Sequence, residues 1–373
     1  MSGRPRVGAR TPTRGGPDVR LKILEDSESS VANLVTQQPP DKSVGASSPA
    51  AAKHRRFELR SLGEVGALVV LIVVFAVLNP STFLTIDNVR TILDQSATPL
   101  IVGVGATLVI LMGSIDLSVE GLMGAAGMAF ILATENSRGS TDLGAGAFII
   151  GILMGAVLGI LAGLIHTRLK VPTFIVTIGF WFIGLGIATV LFGTDTIPLL
   201  PDGGLKAWPN TVFLGLPFSF WLALLIVAIG WVITRYTKLG RFTYAIGNNE
   251  DVARSNGISV NRIKVYVFAF AGACSGLAGI LATLRLGAGS PTVGGGILFV
   301  TVAAVVIGGT SLSGGKGGVL RTLLGVMILT VLNNGLILSG VSSSIQSGVS
   351  GAILIVAIIV AAWPLRSRLR ITK

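Results

Sequence analysis

From about residue 61 onward the chain alternates long apolar runs with short polar connectors, and run length decides what those runs are. Runs near Leu62–Leu78, Ala97–Met112, Gly121–Ala133, Leu143–Ile165, Phe174–Phe192, Leu214–Ile233, Val265–Leu284, Ile297–Ile307, Val319–Leu338 and Val349–Trp363 read as spans. About 20 apolar residues cross roughly 30 Å of hydrocarbon as a helix. The pattern predicts an all-α polytopic membrane protein of about ten transmembrane helices. The third and eighth runs are short for full crossings, so they are half-helices, re-entrant, or extended by tilting.

Those two short runs adjoin glycine-bounded breaks, Gly113-Ser114-Ile115-Asp116-Leu117-Ser118-Val119-Glu120-Gly121 and Gly308-Gly309-Thr310-Ser311-Leu312-Ser313-Gly314-Gly315-Lys316-Gly317. Irregular backbone at or near membrane depth has to be buried in protein or line a watery path. The breaks align at one fixed offset, Gly113 with Gly308, Leu117 with Leu312 and Ser118 with Ser313, which suggests an internal duplication. Paired interruptions in two halves point to a translocation path, built here from Gly113, Ser114, Asp116, Ser118, Glu120, Gly308, Gly309, Thr310 and Ser311.

Composition narrows the class. The 373 residues are 51% hydrophobic and 12% charged, with a mean hydropathy of +0.79, whereas soluble domains carry about a quarter charged residues. The net charge of +12 does not mark a nucleic-acid face, because its Lys and Arg lie in the tail, short connectors and the end. With ten crossings and the tail inside, the inside connectors hold Arg168, Lys170, Arg235, Lys238, Arg241, Arg254, Arg262, Lys264, Lys316, Arg366, Arg368, Arg370 and Lys373. The outside ones hold only Arg90, Arg138, Lys206 and Arg285, with most of the acids (Asp87, Glu135, Asp142, Asp195, Asp202). That bias gives N-in and C-in. Residues 1–60 read as a disordered cytoplasmic tail, with Lys53-His54-Arg55-Arg56 set to meet anionic lipid. Residues 61–373 form the membrane domain, including a cytoplasmic loop at 234–264. No signal-peptide pattern is present, so the first span reads as an uncleaved anchor.

Chemistry is sparse. One cysteine, Cys274, and two histidines, His54 and His166, cannot build a disulfide or a thiolate metal cluster. Gly315-Lys316 invites a phosphate-loop reading, but Thr310 and Gly317 stand where that motif needs Gly and Ser or Thr. Nucleotide hydrolysis by this chain is therefore not expected. Ion-driven carriers place carboxylates inside their spans, yet Asp94, Asp116 and Glu120 lie at ends or breaks, so energy comes from elsewhere. Asp116 either caps the third span or touches solute. In the 234–264 loop, Asn248 or Asn249 can cap a short helix, Glu250 and Asp251 favour its first turn, and Gly257 ends it. That helix is a docking element or a plain connector. Gly151, Gly155, Gly159 and Gly163 clear one helix face for close packing, as do Gly272, Gly276 and Gly279. Phe180, Trp181 and Phe182, mid-span, either stack on the ring of a bound solute or pack in the bundle.

Taken together, these segments give a chain that resembles the membrane permease subunits of ABC-type sugar importers of the ribose, xylose, arabinose and galactose group. The likeness rests on Gly113 to Glu120; on Gly247-Asn248-Asn249 through Ala253-Arg254 to Gly257-Ile258; on Ala303 through Gly317; on Val171-Pro172-Thr173-Phe174-Ile175 with Thr177 and Gly179; and on Asn333-Asn334-Gly335-Leu336. It covers roughly Asn79 to Trp363. The resemblance implies a homodimer, or a heterodimer with a sibling permease, in the bacterial cell membrane. It also implies cytoplasmic ATPase subunits that bind ATP and Mg, and an extracytoplasmic sugar-binding protein. Gly247, Asn248, Asn249, Glu250, Asp251, Ala253, Arg254, Gly257 and Ile258 then look like the segment that couples to the ATPase. The chain itself would carry no cofactor and catalyse no reaction. It departs from the family pattern at Ser114, Glu120, Ile297–Thr301 and Arg321, near the path, which leaves the sugar undetermined. A nucleoside permease of the same class and a stand-alone secondary carrier are the alternatives.

Overall fold

The computed structural model describes residues 49–342 apart from 195, together with 345, 346, 348, 349, 351, 352 and 355, and its side chains from 63 onward. By internal contacts the chain divides after Arg55, and the helical bundle belongs to the unit that begins at Arg56. Among the described residues the main helices are α1 (Pro49–Leu78), α2 (Ile86–Leu111), α3 (Val119–Leu132), α4 (Ala145–Leu169), α5 (Thr173–Phe192), α6 (Phe218–Tyr236), α7 (Lys238–Asn248), α8 (Glu250–Ser255), α9 (Val260–Leu286), α10 (Ile297–Ile307) and α11 (Val319–Leu338), with single turns at Gly204–Ala207 and Trp208–Asn210. Helix α1 begins at Pro49, inside the stretch assigned from sequence to the tail. The expected tenth span falls almost wholly outside the described residues.

Among the described residues, six helices are long and apolar enough to cross a membrane: α2, α4, α5, α6, α9 and α11. The apolar parts of α1 (Gly63–Leu78), α3 and α10 are shorter. Helices α2 and α9 form the buried centre, with 83% and 72% of their apolar stretches buried, against 33%, 28% and 33% for α4, α5 and α6. The outer helices turn Ile149, Leu153, Val157, Phe182, Val190 and Leu225 outward, as expected where the surroundings are themselves apolar.

The glycine faces foreseen on α4 and α9 meet each other. A Cβ on Gly155 would lie 2.2 Å from Gly272 O, and one on Gly159 would lie 2.3 Å from Phe268 O. No side chain fits between these backbones, which gives them the closest approach two helices can make. Helix α1 rides on α11, where the Phe75 ring fills the space that a side chain at Gly335 would need.

At the end opposite residues 234–264, three connectors are stitched together. Ser137 N donates to Leu199 O (2.9 Å), Leu200 N to Gly287 O (2.9 Å) and Gly289 N to Pro198 O (2.8 Å). This end also carries a two-residue hairpin, β1 (Val212–Phe213) with β2 (Leu216–Pro217), antiparallel with Val212 opposite Pro217. Its turn places Leu214 and Gly215 at φ +49° and +83°, the left-handed pair that matches hairpin twist.

Candidate functional site

Both breaks begin the same way. After α2, Gly113 turns left-handed (φ +76°), its N–H donates to Ile110 O (2.9 Å), and Ser114 N donates to Val109 O (3.1 Å). After α10, Gly309 does so (φ +78°), donating to Val306 O (2.8 Å), while Thr310 N donates to Val305 O (3.1 Å). The structural counterpart of Gly113 is therefore Gly309 and not Gly308, so the sequence alignment of the breaks is out of register by one residue. The reason is physical: the left-handed glycine closing a helix fixes equivalence, and Gly308 is still helical in sense (φ −66°). Beyond that point the breaks diverge, one entering α3 after Ser118 and the other entering α11 after Gly318.

The second break folds back on the first, and α7 joins them. Gly315 N donates to Leu111 O (2.8 Å), the last residue of α2. A Cβ on Gly314 would meet Gly113 N at 2.8 Å and Gly247 Cα at 3.0 Å; one on Gly247 would meet Leu111 O at 1.9 Å. Tyr244 Oη donates to Gly317 O (3.0 Å). Burial raises the affinity of the Tyr244 hydroxyl for its proton, with Arg321 pulling the other way, so the group stays a donor. Thr310 Oγ1 accepts from Gly318 N (3.3 Å) and Ser311 N donates to Lys316 O (2.8 Å), holding the loop in shape. Three segments far apart in sequence thus meet backbone to backbone.

The expected short helix is α8, and its chemistry follows the sequence closely. Asn249 Oδ1 accepts from Val252 N (3.1 Å), and Gly257 (φ +79°) ends the helix, with Ile258 N reaching Ala253 O (3.1 Å). Asn248, Asn249, Asp251, Arg254 and Gly257 are exposed while Ala253 is buried in the main core. Glu250 pairs with Lys264 (2.7 Å) and Arg254 (2.9 Å), and these cations outweigh its burial and lower its pKa. Lys264 also lies 3.3 Å from His166 Nε2, tying α8 to α9 and α4. The amphipathic α7 ahead of it was not foreseen.

Asp116 does not cap α3. Its Oδ1 accepts from Ser118 N (2.9 Å) and Ser118 Oγ (2.6 Å), so it turns the chain ahead of the helix, and Ser118 makes no side-chain cap of its own. Ile115 N leans on Thr173 Oγ1 (3.4 Å), which gives the Val171–Ile175 stretch a role in holding this break. Helix α3 starts well inside the bundle, since a Cβ on Gly121 would meet Trp181 O at 2.2 Å, about 12 Å along α5 at 1.5 Å per residue. Helix α10 starts at the same level, because Glu120 Oε1 accepts from Gly296 N (3.0 Å) and Leu298 N (3.2 Å). With 14 and 11 residues, these are half-helices of roughly 21 and 17 Å whose N-termini meet at depth.

A cavity of about 670 Å³ opens between α2, α9, α10 and α11, lined by Gln95, Thr98, Arg285, Ser290, Thr292, Thr330 and Asn333 together with apolar groups such as Pro99, Val293, Ile297 and Val300. Pro99 has no N–H, so the Gln95 carbonyl lacks its helical donor. Arg285 is neutralised on the spot: Nη2 lies 2.7 Å from Asp94 Oδ1 and Nη1 donates to Thr98 Oγ1 (3.0 Å). Asn334, beside Asn333, exchanges amide hydrogen bonds with Asn88 (3.1 and 2.9 Å), fixing α11 to α2. Sequence reasoning missed this cavity; the available signal was Asp94 and Arg285, opposite charges at the same end of two spans. Of the aromatic candidates, Phe180 is buried among Leu122, Leu158 and Val176, Phe182 is 63% exposed on the outside, and Trp181 stacks on Phe182 (5.6 Å). None of the three lines the cavity. Among the described residues no cluster could hold a metal ion.

Residues 88–358 match the family described as branched-chain amino acid transport system / permease component. The chain is 38% identical over 299 residues to the ribose import permease protein of Haemophilus influenzae, covering 79% of this chain and 90% of that one. It is 39% identical over 304 residues to the ribose import permease protein of Bacillus subtilis (81% and 92%). It is 32% identical over 326 residues to the galactose/methyl galactoside import permease protein of Escherichia coli (83% and 96%).

Proposed function

Since the chain belongs to the family of branched-chain amino acid transport system permease components, and within it to the sugar permeases of ABC importers, we propose that it carries a monosaccharide or related polyol inward on ATP hydrolysed by a partner. It is a multi-pass protein of the bacterial inner membrane and a transport subunit, not an enzyme.

The observation that carries the sugar reading is the cavity. The family description speaks of amino acids and the relatives' names of sugars. An amino acid brings a carboxylate and an ammonium group that both need counter-charges in a dry site. Here the cavity's cation, Arg285, is already matched by Asp94, and the rest of its polar lining is amide and hydroxyl groups, Gln95, Asn333, Thr98, Thr330, Ser290 and Thr292, set among apolar side chains. Neutral donors and acceptors of both kinds suit a solute made of hydroxyl groups. Much of the selection would rest with an extracytoplasmic binding protein.

The coupling reading is supported by the exposed α8 and by the junction of Gly113, Gly247, Gly314 and Gly315. A groove of the ATPase takes Asn248–Ile258, and movement there reaches α2 and α10 through backbone contacts. Two such chains, or one with a sibling permease, pair around two ATPases.

Uptake of labelled ribose, xylose, arabinose, galactose, inositol and leucine into proteoliposomes tests this, with the chain, its ATPase and its binding protein present, under ATP or under an ion gradient. ATP-dependent sugar uptake that requires the binding protein is the expected result. Leucine uptake, or uptake of a labelled nucleoside added to the same panel, would overturn the solute, and gradient-driven uptake by the chain alone would overturn the class.

A further inference from the structure

Where the two half-helices meet, the group between them is a carboxylate from the first turn of α3. Glu120 Oε1 accepts from Gly296 N at 3.0 Å and from Leu298 N at 3.2 Å. Gly296 is the N-cap of α10 and Leu298 lies in its first turn, so Glu120 satisfies donors that a helix start leaves orphaned. An ionised acceptor at the positive end of a helix dipole makes stronger bonds than a neutral one.

The loop ahead of α10 is pressed on the same place. A Cβ on Gly294 would meet Glu120 Cα at 3.1 Å, and one on Gly124 would meet Pro291 O at 2.2 Å. That loop and the start of α10 supply Ser290, Thr292, Val293, Ile297 and Val300 to the cavity. The other end of α10 is the second break, which touches α2 and α7. Helix α10 is thus gripped at one end by the coupling junction and at the other by Glu120.

We infer that Glu120 is the positioning residue that pins α10 and the 290–296 wall of the cavity against α3, a hold that displacement of the coupling end must break before the wall can move. The idea rests on the proposed transport function.

The test uses the full complex in proteoliposomes with wild type, Glu120→Gln and Glu120→Gly, each shown to retain its ATPase. Two quantities are read: leak of preloaded sugar without ATP, and sugar moved per ATP. The expected result is a leak that rises several-fold in Glu120→Gln and further in Glu120→Gly, with sugar per ATP falling in the same order. Leak and stoichiometry equal to wild type in both variants would overturn the inference. So would uptake and hydrolysis falling together with no leak, the mark of a merely structural role.

A second readout does not depend on which solute is carried. Ile297→Cys in the cavity wall is labelled by a membrane-impermeant maleimide, Cys274 being buried. Labelling should quicken several-fold when Glu120→Gln is added, and an unchanged rate would overturn the hold even if the complex moved no sugar at all.

Discussion

Asn249 shows how much one side chain can set at an exposed site. Its Oδ1 is the acceptor that starts α8, and loss of such a cap costs about 1 kcal/mol. In a helix of only six residues, that is enough to loosen the segment even with Glu250 and Asp251 in its first turn. Asn249→Ala should therefore weaken ATPase association several-fold while leaving membrane insertion intact, as measured by co-purification at graded salt. Glu250 gives the pH dependence. Lys264 and Arg254 lower its pKa below the ordinary glutamate range in spite of burial. Its contribution is complete above the unfolded-state value and is lost as pH falls through the lower folded value. Protection factors of the α8 amides should therefore begin to fall as pH drops through the ordinary glutamate value and reach their floor below the lowered folded value, whereas Glu250→Gln should lower them at neutral pH.

At the scale of elements, close packing and shared backbone decide the outcome. Gly155→Leu forces α4 off α9, since even a Cβ lies 2.2 Å from Gly272 O. A cost of about 1–3 kcal/mol or more is the usual order for overpacking, so a lower melting temperature and loss of a single species in detergent are expected. The α7 junction has its own test. A Cβ on Gly315 lies 2.6 Å from Asn248 Oδ1 and 2.7 Å from its Cγ, which brings the two Cβ positions within the roughly 4 Å that a disulfide bridges. Asn248→Cys with Gly315→Cys should cross-link under copper phenanthroline, and uptake should survive if α7 and the second break move together. Local structure of this kind was legible in the chain: the spans, the breaks and the Asn249-to-Gly257 helix each follow from run length or from capping chemistry. What was not legible is long-range. Glu120 reading as a path residue gave no hint of a bond to Gly296, and Gln95, Arg285 and Asn333 become one cavity only after three helices pack. The one-residue error in aligning the breaks arose because matching letters were compared, whereas the fold matches left-handed turns.

For the molecule as a whole, helix α2 of the buried pair α2 and α9 runs from the cavity to the junction of the two breaks, the places proposed for solute and for coupling. Its first half carries Gln95 and Thr98 at the cavity, and its last carbonyl, Leu111 O, receives Gly315 N. Its 26 residues amount to roughly 39 Å of continuous helix, so the two ends cannot shift independently along its axis. On the proposed coupling role, the junction at Leu111 also divides recognition from mechanics. The contacts among Leu111, Gly113, Gly247, Gly314 and Gly315 involve main-chain atoms alone, whereas the face offered outward on α8 is written in side chains. Partner choice can therefore change by altering a few exposed letters without retuning the machine behind them. A bacterium with many such permeases could then run several from one motor, and grafting Asn249–Gly257 from a relative should hand this chain that relative's ATPase.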